Sequence, residues 1–250
     1  MRLKELRSYL KELFPDEEMI DYCPNGLQIE GKDEVNRIVT AVSANLETIE
    51  AAIELQADVL IVHHGLFWQK DSYVIEGAKK KKIALLLQHG ISLFAYHLPL
   101  DSHPAIGNNW RAAYEMGWTD LQPFCNVNGV LIGVKGMTNS LTPQELKTKL
   151  EEYYGHPATC ALGGPEMIRS IALVSGGAHK SLGEAKQAEV DAFVTGSFDE
   201  PAWSEAFEMG IHFYAMGHSA TERIGPIAMA NYLAKELSLP CTFLDIRNPF

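Results

Sequence analysis

Thiols, positive charge and long apolar runs are all scarce in this chain of 250 residues. Its four cysteines, Cys23, Cys125, Cys160 and Cys241, are scattered, and no two form a C-x-x-C pair. That spacing argues against a zinc knuckle or a dithiol redox site and fits a reduced compartment. Lys and Arg number 21 against 32 Asp and Glu, for a net charge of −11. A broad phosphate-tracking surface is therefore not expected, and nucleic acid is an unlikely partner on charge grounds. The one basic run, Lys79 to Lys82, reads as a solvated helix face. No apolar run approaches the length that spans a bilayer, so no membrane association is expected. The opening segment, Met1 to Lys11, sets Leu3, Leu6 and Leu10 at helical spacing among charges, as in an amphipathic helix rather than a signal sequence. The cytoplasm is the expected address. Two catalytic signatures are also missing. There is no G-x-S-x-G elbow, and Ser175 to Ser181 lacks the G-x-x-x-x-G-K-[ST] spacing of a nucleotide loop. That segment reads as a tight strand-to-helix turn, in which His179 could face a substrate.

What the chain does contain is a core and a repeat. The 46% apolar fraction is ordinary for a globular protein. Arg37 to Ser43, Leu46 to Gln56 and Asp58 to His63 read as strand, helix and strand. The same order returns in Ser170 to Ser175, Leu182 to Glu189 and Asp191 to Thr195. Gly90 to His97 then matches Gly210 to His218, and each histidine precedes an acidic residue by four positions: His97 with Asp101, and His218 with Glu222. A glycine-containing loop and an Ala-rich helix follow each acidic residue. Asn128 to Lys135 reads as a further strand, and Thr142-Pro-Gln-Glu145 as a helix start. The fold class is therefore α/β, with two similar lobes related by a pseudo-twofold. Residues 1–125 form the first lobe and 126–250 the second, with the last helix able to pack on either.

Functional side chains in α/β sheets collect at the carboxyl ends of strands. His63 and His64 stand at such an end, and Asp101 and Glu222 follow two others. Imidazole and carboxylate together suit Zn, Fe, Mn, Co or Ni. Adjacent histidines diverge, so His63 and His64 can each reach a different ion, which favours two divalent metal ions between the lobes. Simpler roles compete at two positions. Ser219-Ala-Thr-Glu222 also fits a capping box, and Asp101 could cap the turn before Pro104. His89, His103, His156 and His212 read as structural or exposed, with His103 near enough to Asp101 in sequence to support it.

Three separated segments carry a family resemblance: His63-His-Gly-Leu-Phe-Trp68, Tyr96-His-Leu-Pro-Leu-Asp101 and Gly217-His-Ser-Ala-Thr-Glu222. Asn25-Gly-Leu-Gln28, Gly107-Asn-Asn109, Ser175-Gly-Gly-Ala178 and Thr195-Gly-Ser197 support them. Together they resemble the GTP cyclohydrolase I type 2 homolog family, the NGG-interacting-factor-three-like proteins, from the first helix to the last. The resemblance implies a dinuclear centre: His64 and Asp101 on one ion, His63 and His218 on the other, and Glu222 bridging. It implies His97 as an additional ligand or a supporting residue. It also implies a homo-oligomer, a hexameric trimer of dimers, and a short form without an inserted domain. Three functions are compatible with it: a metal-dependent hydrolase acting on a small molecule, a metal-delivery protein, and an interaction scaffold with structural metals.

Overall fold

A computed structural model describes every residue of the chain except 16–18. Contacts divide it into two compact units: Met1–Leu100 with Gly225–Arg247, and Asp101–Ile224 with Asn248–Phe250. The lobe boundary expected at 125/126 falls inside a strand of the second unit.

The first unit opens with α1 (Leu3–Leu13), whose Leu3, Leu6 and Leu10 are buried along one stripe, as the helical spacing requires. Its sheet comprises β1 (Gly26–Ile29), β2 (Ile38–Ser43), β3 (Val59–His64), β4 (Ser92–Ala95) and β11 (Cys241–Phe243), in the order β1-β4-β3-β2-β11. All neighbouring pairs are parallel except β1 with β4. The helices α2 (Leu46–Glu54) and α3 (Gly77–His89) are the crossovers between the parallel strands. Val39, Ala41, Leu60, Val62 and Leu93 from the strands join Ile49 and Leu86 from those helices in one core. The basic run of Lys79 to Lys82 lies on α3 and is only in part a solvated face: Lys80 and Lys81 are exposed, whereas Lys79 and Lys82 are half-buried.

The second unit is built on a six-stranded sheet in the order β5-β6-β8-β9-β10-β7. These strands are β5 (Thr119–Val127), β6 (Val130–Leu141), β7 (Thr159–Leu162), β8 (Ile168–Val174), β9 (Ala192–Thr195) and β10 (His212–Ala215). Here β8, β9 and β10 run parallel, and β7 closes the edge antiparallel to β10. The helices are α5 (Asn108–Glu115), α6 (Pro143–Tyr154), α7 (Leu182–Gln187) and α8 (Pro201–Met209), with the short α9 (His218–Thr221) after β10; the short α4 (Leu98–Ser102) begins in the first unit and ends in the second. The expected helix start is present: Thr142 Oγ1 accepts from the Glu145 backbone N–H, and the Glu145 carboxylate accepts from the Thr142 N–H.

The internal repeat is therefore real at the level of topology. The series β1-β4-β3-β2 and β7-β10-β9-β8 have the same order and the same antiparallel edge. One detail fixes the alignment. Asp58 accepts from the Asn36 and Arg37 N–H groups, and Asp191 accepts from those of Arg169 and Ser170. Each aspartate thereby pins the start of one strand to the start of the next. The two Ala-rich helices sort differently from their repeats. Ala112 and Ala113 of α5 join the second unit's core, whereas α10 (Ile224–Leu237) and β11 belong almost wholly to the first.

Candidate metal centre

In the first unit, parallel pairing brings the carboxyl ends of β2, β3 and β4 level, with Ser43 opposite His64 and Val62 opposite Ala95. His63, His64 and His97 gather there, each with a donor nitrogen within 4.8 Å of the others. Their ring centroids are 4.6 Å apart for His63 and His64, 5.0 Å for His63 and His97, and 5.7 Å for His64 and His97. His63 is fully buried, and its Nδ1 lies 3.0 Å from the Tyr96 carbonyl. A carbonyl can only accept, so Nδ1 carries the proton, and in the neutral form of the ring the lone pair lies at Nε2. Nδ1 of His97 lies 2.7 Å from the Asp21 carboxylate, which imposes the same tautomer. Nδ1 of His64 is engaged by the Ser43 hydroxyl at 3.0 Å. Rings held at Nδ1 with Nε2 as donor are a common preparation for metal ligation.

Asp21 and Cys23 also lie within ligand reach of His97. Burial pushes the Cys23 thiol up to about 12, with the Asp21 charge adding to the effect. Burial alone would raise the Asp21 carboxyl. Its hydrogen bond with His97, and the donors of Asn25 and Leu98, outweigh that and hold it below the usual carboxylate range.

In the second unit, Asp101 is buried, and Oδ1 accepts from Asn108 Nδ2 and Ser175 Oγ, both at 2.9 Å. Asn109 supports this arrangement by accepting from the Ser175 N–H and donating to the Ile132 carbonyl. Asp101 lies within α4 and is not the cap of a following helix, so the simple capping role does not apply. His218 Nδ1 lies 3.1 Å from the Ser197 hydroxyl, and its Nε2 lies 3.1 Å from Glu222 Oε1. The capping box proposed for Ser219 and Glu222 is absent: Gly217 is the N-cap of α9, and Glu222 follows the helix at its other end.

Gly176 lies against this histidine–carboxylate pair. Its φ is +66°, and a side chain there would run into Glu222 Oε1 and approach His218 Nε2 to 3.3 Å. Its N–H donates to Thr221 Oγ1, and its carbonyl accepts from the Gly196 and Ser197 N–H groups. The Ser175 to Ser181 segment is thus the expected strand-to-helix turn, stitched to β9 and α9. His179 lies in its short 3-10 turn, with Nε2 4.0 Å from Asp199 Oδ2.

The matched histidines are out of step by one residue. Ala95 and Ala215 hold equivalent places, paired with Val62 and Thr195. Counting onward, His97 is the second residue and Asp101 the sixth, whereas His218 is the third and Glu222 the seventh. The two H-x-x-x-[DE] motifs therefore present different faces of their turns. Sequence reasoning missed Asp21, Ser43, Ser175, Ser197 and Asn108 as supports. Ser175 and Ser197 lay in the quoted motifs, but nothing in the spacing pointed to Asp21.

Among the remaining histidines, His212 is buried and its Nε2 lies 2.8 Å from the Pro165 carbonyl. Burial lowers its pKa against the opposing effect of that carbonyl and of Asp191. His156 bonds the Pro157 and Pro249 carbonyls, and His103 Nδ1 accepts from the Ala105 and Ile106 N–H groups. The contacts of His156 and His212 are to backbone carbonyls of loops, and those of His103 to N–H groups of its own turn.

Together, the repeated sheets and these side chains define an α/β protein with imidazole and carboxylate groups at strand ends, in clusters able to hold metal ions. The Duf34/NIF3 (NGG1p interacting factor 3) family profile matches residues 1–249, and the chain belongs to that family. It is 46% identical over 252 residues to a GTP cyclohydrolase 1 type 2 homolog of Chlamydia pneumoniae, with both chains covered in full. Among solved structures, protein ybgI, described as of unknown function, superimposes with a TM-score of 0.95 at 38% identity over the whole of both chains. The Thermus thermophilus protein TTHA1606 gives 0.91 at 35%, again over both full chains. Among the described residues, no helix is long and apolar enough to cross a membrane.

Proposed function

We propose that the chain binds two divalent metal ions and uses them as a metal-dependent hydrolase of a small molecule. His64 and Asp101 would serve one ion and His63 and His218 the other, with Glu222 shared and His97 as a further donor. One observation carries this reading. The partners of His63 and His97 at Nδ1 are a carbonyl and a carboxylate, which can only accept, so both rings offer Nε2 lone pairs beside His64. A purely structural trio would have no need of two imidazoles held in a ligating tautomer beside a third.

The donor set of these residues is nitrogen and oxygen. It suits Zn, Fe, Mn, Co or Ni. Bound there, such ions would supply Lewis acidity and make water more acidic. The chain's own part is to fix the donors. Ser43 and Ser197 restrain the rings of His64 and His218, Asn108 and Ser175 hold Asp101, and Gly176 leaves room for the Glu222 carboxylate. Trp68, with its ring 5.7 Å from that of His64, offers an aromatic surface on which a planar substrate could rest.

The name borne by the curated relatives makes GTP one compound to test. We further propose a closed homo-oligomer, hexameric by family resemblance, and a cytoplasmic setting consistent with four free cysteines. The test is protein stripped of metal, reconstituted with each candidate ion, and assayed on phosphoesters, nucleotides including GTP, and cyclic amides. Elemental analysis near two ions per chain, with turnover that disappears on chelation, is the expected result. One ion per chain in excess metal would overturn the dinuclear centre. Metal exchange to an apo-acceptor without turnover would replace the hydrolase with a delivery protein. Light scattering that finds a monomer at micromolar concentration would remove the oligomer alone.

A further inference from the structure

We propose that Asp21 is a positioning residue for the metal centre, locking the His97 imidazole so that its Nε2 is presented as a donor beside His63 and His64. This rests on the metal-binding reading above. Asp21 is carried by no strand end. It lies in the segment between α1 and β1, outside the repeat that supplies the other candidate ligands. Yet its carboxylate is buried and accepts from four donors: His97 Nδ1 at 2.7 Å, Leu98 N at 3.0 Å, Asn25 Nδ2 at 3.0 Å and Tyr22 N at 2.5 Å.

The arrangement grips one junction from two sides. Asn25 donates to Asp21 and, through Oδ1, accepts the His97 backbone N–H at 2.8 Å. The 21–25 segment therefore holds both the backbone and the ring of His97. Trp68 stands edge-on to that ring, with centroids 5.2 Å apart and planes at 81°, which restricts its rotation. A buried carboxylate that already accepts four bonds has little left for direct ligation. It fits the outer member of a carboxylate–histidine–metal series, in which the carboxylate fixes the tautomer and raises the basicity of the ligating nitrogen.

A merely structural clasp would hold the segment equally well without caring which ring nitrogen bears the proton. Asp21→Asn separates the two roles, because it preserves the shape while exchanging one accepting oxygen for an NH2 donor and removing the charge. Two measurements test it. Long-range 1H–15N spectra of metal-free protein should show wild-type His97 as the Nδ1–H tautomer, and Asp21→Asn should lose that preference. Co(II) competition titration should show binding weakened about 10- to 100-fold in Asp21→Asn. His97→Ala should weaken it similarly, and the double variant should lose little more, since both changes remove the same donor.

Wild-type affinity in Asp21→Asn with an unchanged tautomer would overturn the proposal and leave the metal reading intact. A wild-type protein that binds no Co(II) would overturn both. If Asp21→Asn proves too unstable to purify, the wild-type spectrum decides: His97 found protonated at Nε2 rather than Nδ1 refutes the positioning role.

Discussion

A carboxylate beside a short helix can serve the backbone or a cation, and Glu222 separates these two roles. With Gly217 as the cap of α9 and His218 Nε2 3.1 Å from Glu222 Oε1, the side chain faces its histidine rather than the first turn's N–H groups. Glu222→Gln keeps an acceptor of nearly the same shape. We expect a stability change of at most about 1 kcal/mol by thermal melting. If Glu222 holds metal as proposed, loss of charge and of one oxygen should remove at least one of the two proposed ions, read by elemental analysis after dialysis. Ser219→Ala should leave metal content unchanged. Full occupancy in Glu222→Gln would return this residue to a structural role. Legibility at this scale followed chemistry: histidines and acids at strand ends were visible because few other roles need them there. The hydroxyls of Ser43 and Ser197 and the carboxylate of Asp21 act only through another side chain. That relation exists once the chain is folded, and sequence spacing does not record it.

Among the elements, the turn after β8 shows how a loop can set a site without supplying a ligand. Gly176 combines a positive φ with a backbone carbonyl that accepts from two successive N–H groups of the next strand's end. Ser175 on one side anchors Asp101, and Gly177 on the other faces His218, whose Cε1 would lie 3.4 Å from an added Cβ. Gly176→Ala is therefore expected to be destabilising by about 1–3 kcal/mol through the strained backbone, and to displace the Glu222 carboxylate. Metal affinity should fall along with the melting temperature. Gly183→Ala is the control, because an added methyl there meets nothing within 4 Å. Equal metal affinity in Gly176→Ala and wild type would mean that the carboxylate tolerates the crowding. The βαβ units themselves were legible, since their apolar runs and connecting helices follow strong periodicities. The one-residue offset between the His97 and His218 motifs was not. Matching letters aligned the histidines, whereas strand pairing makes Ala215 the counterpart of Ala95, and so Gly217 the counterpart of His97 in the repeat.

In the whole molecule, the chain exchanges helices between its halves. The helix after the first acidic motif, α5, buries Ala112 and Ala113 in the second unit, while α10, after the second acidic motif, returns to the first. Sequence could not assign α10, because an apolar helix face matches either core equally well. The assignment rests on particular bonds. Thr40 Oγ1 donates to the Pro226 carbonyl at 2.8 Å, Ile38 N to the Pro240 carbonyl at 2.9 Å, and Leu244 N to the Thr40 carbonyl at 2.8 Å. Tyr9 of α1 and Tyr232 of α10 bring their hydroxyls to 3.4 Å. Cooperative stability should follow these contacts and not the order of the chain. Leu233, fully buried on α10, is the probe: Leu233→Ala should cost about 2–5 kcal/mol through the lost burial and the cavity left behind. Hydrogen exchange should then rise in peptides from α1, β2 and β3, which share its unit. Peptides from β8 and β9 should keep their protection, although β9 is the nearer of the two groups to Leu233 in sequence. Leu150→Ala on α6, buried in the second unit's core, should give the reverse pattern. A uniform rise across both sheets in either variant would mean that the molecule opens as a single cooperative body.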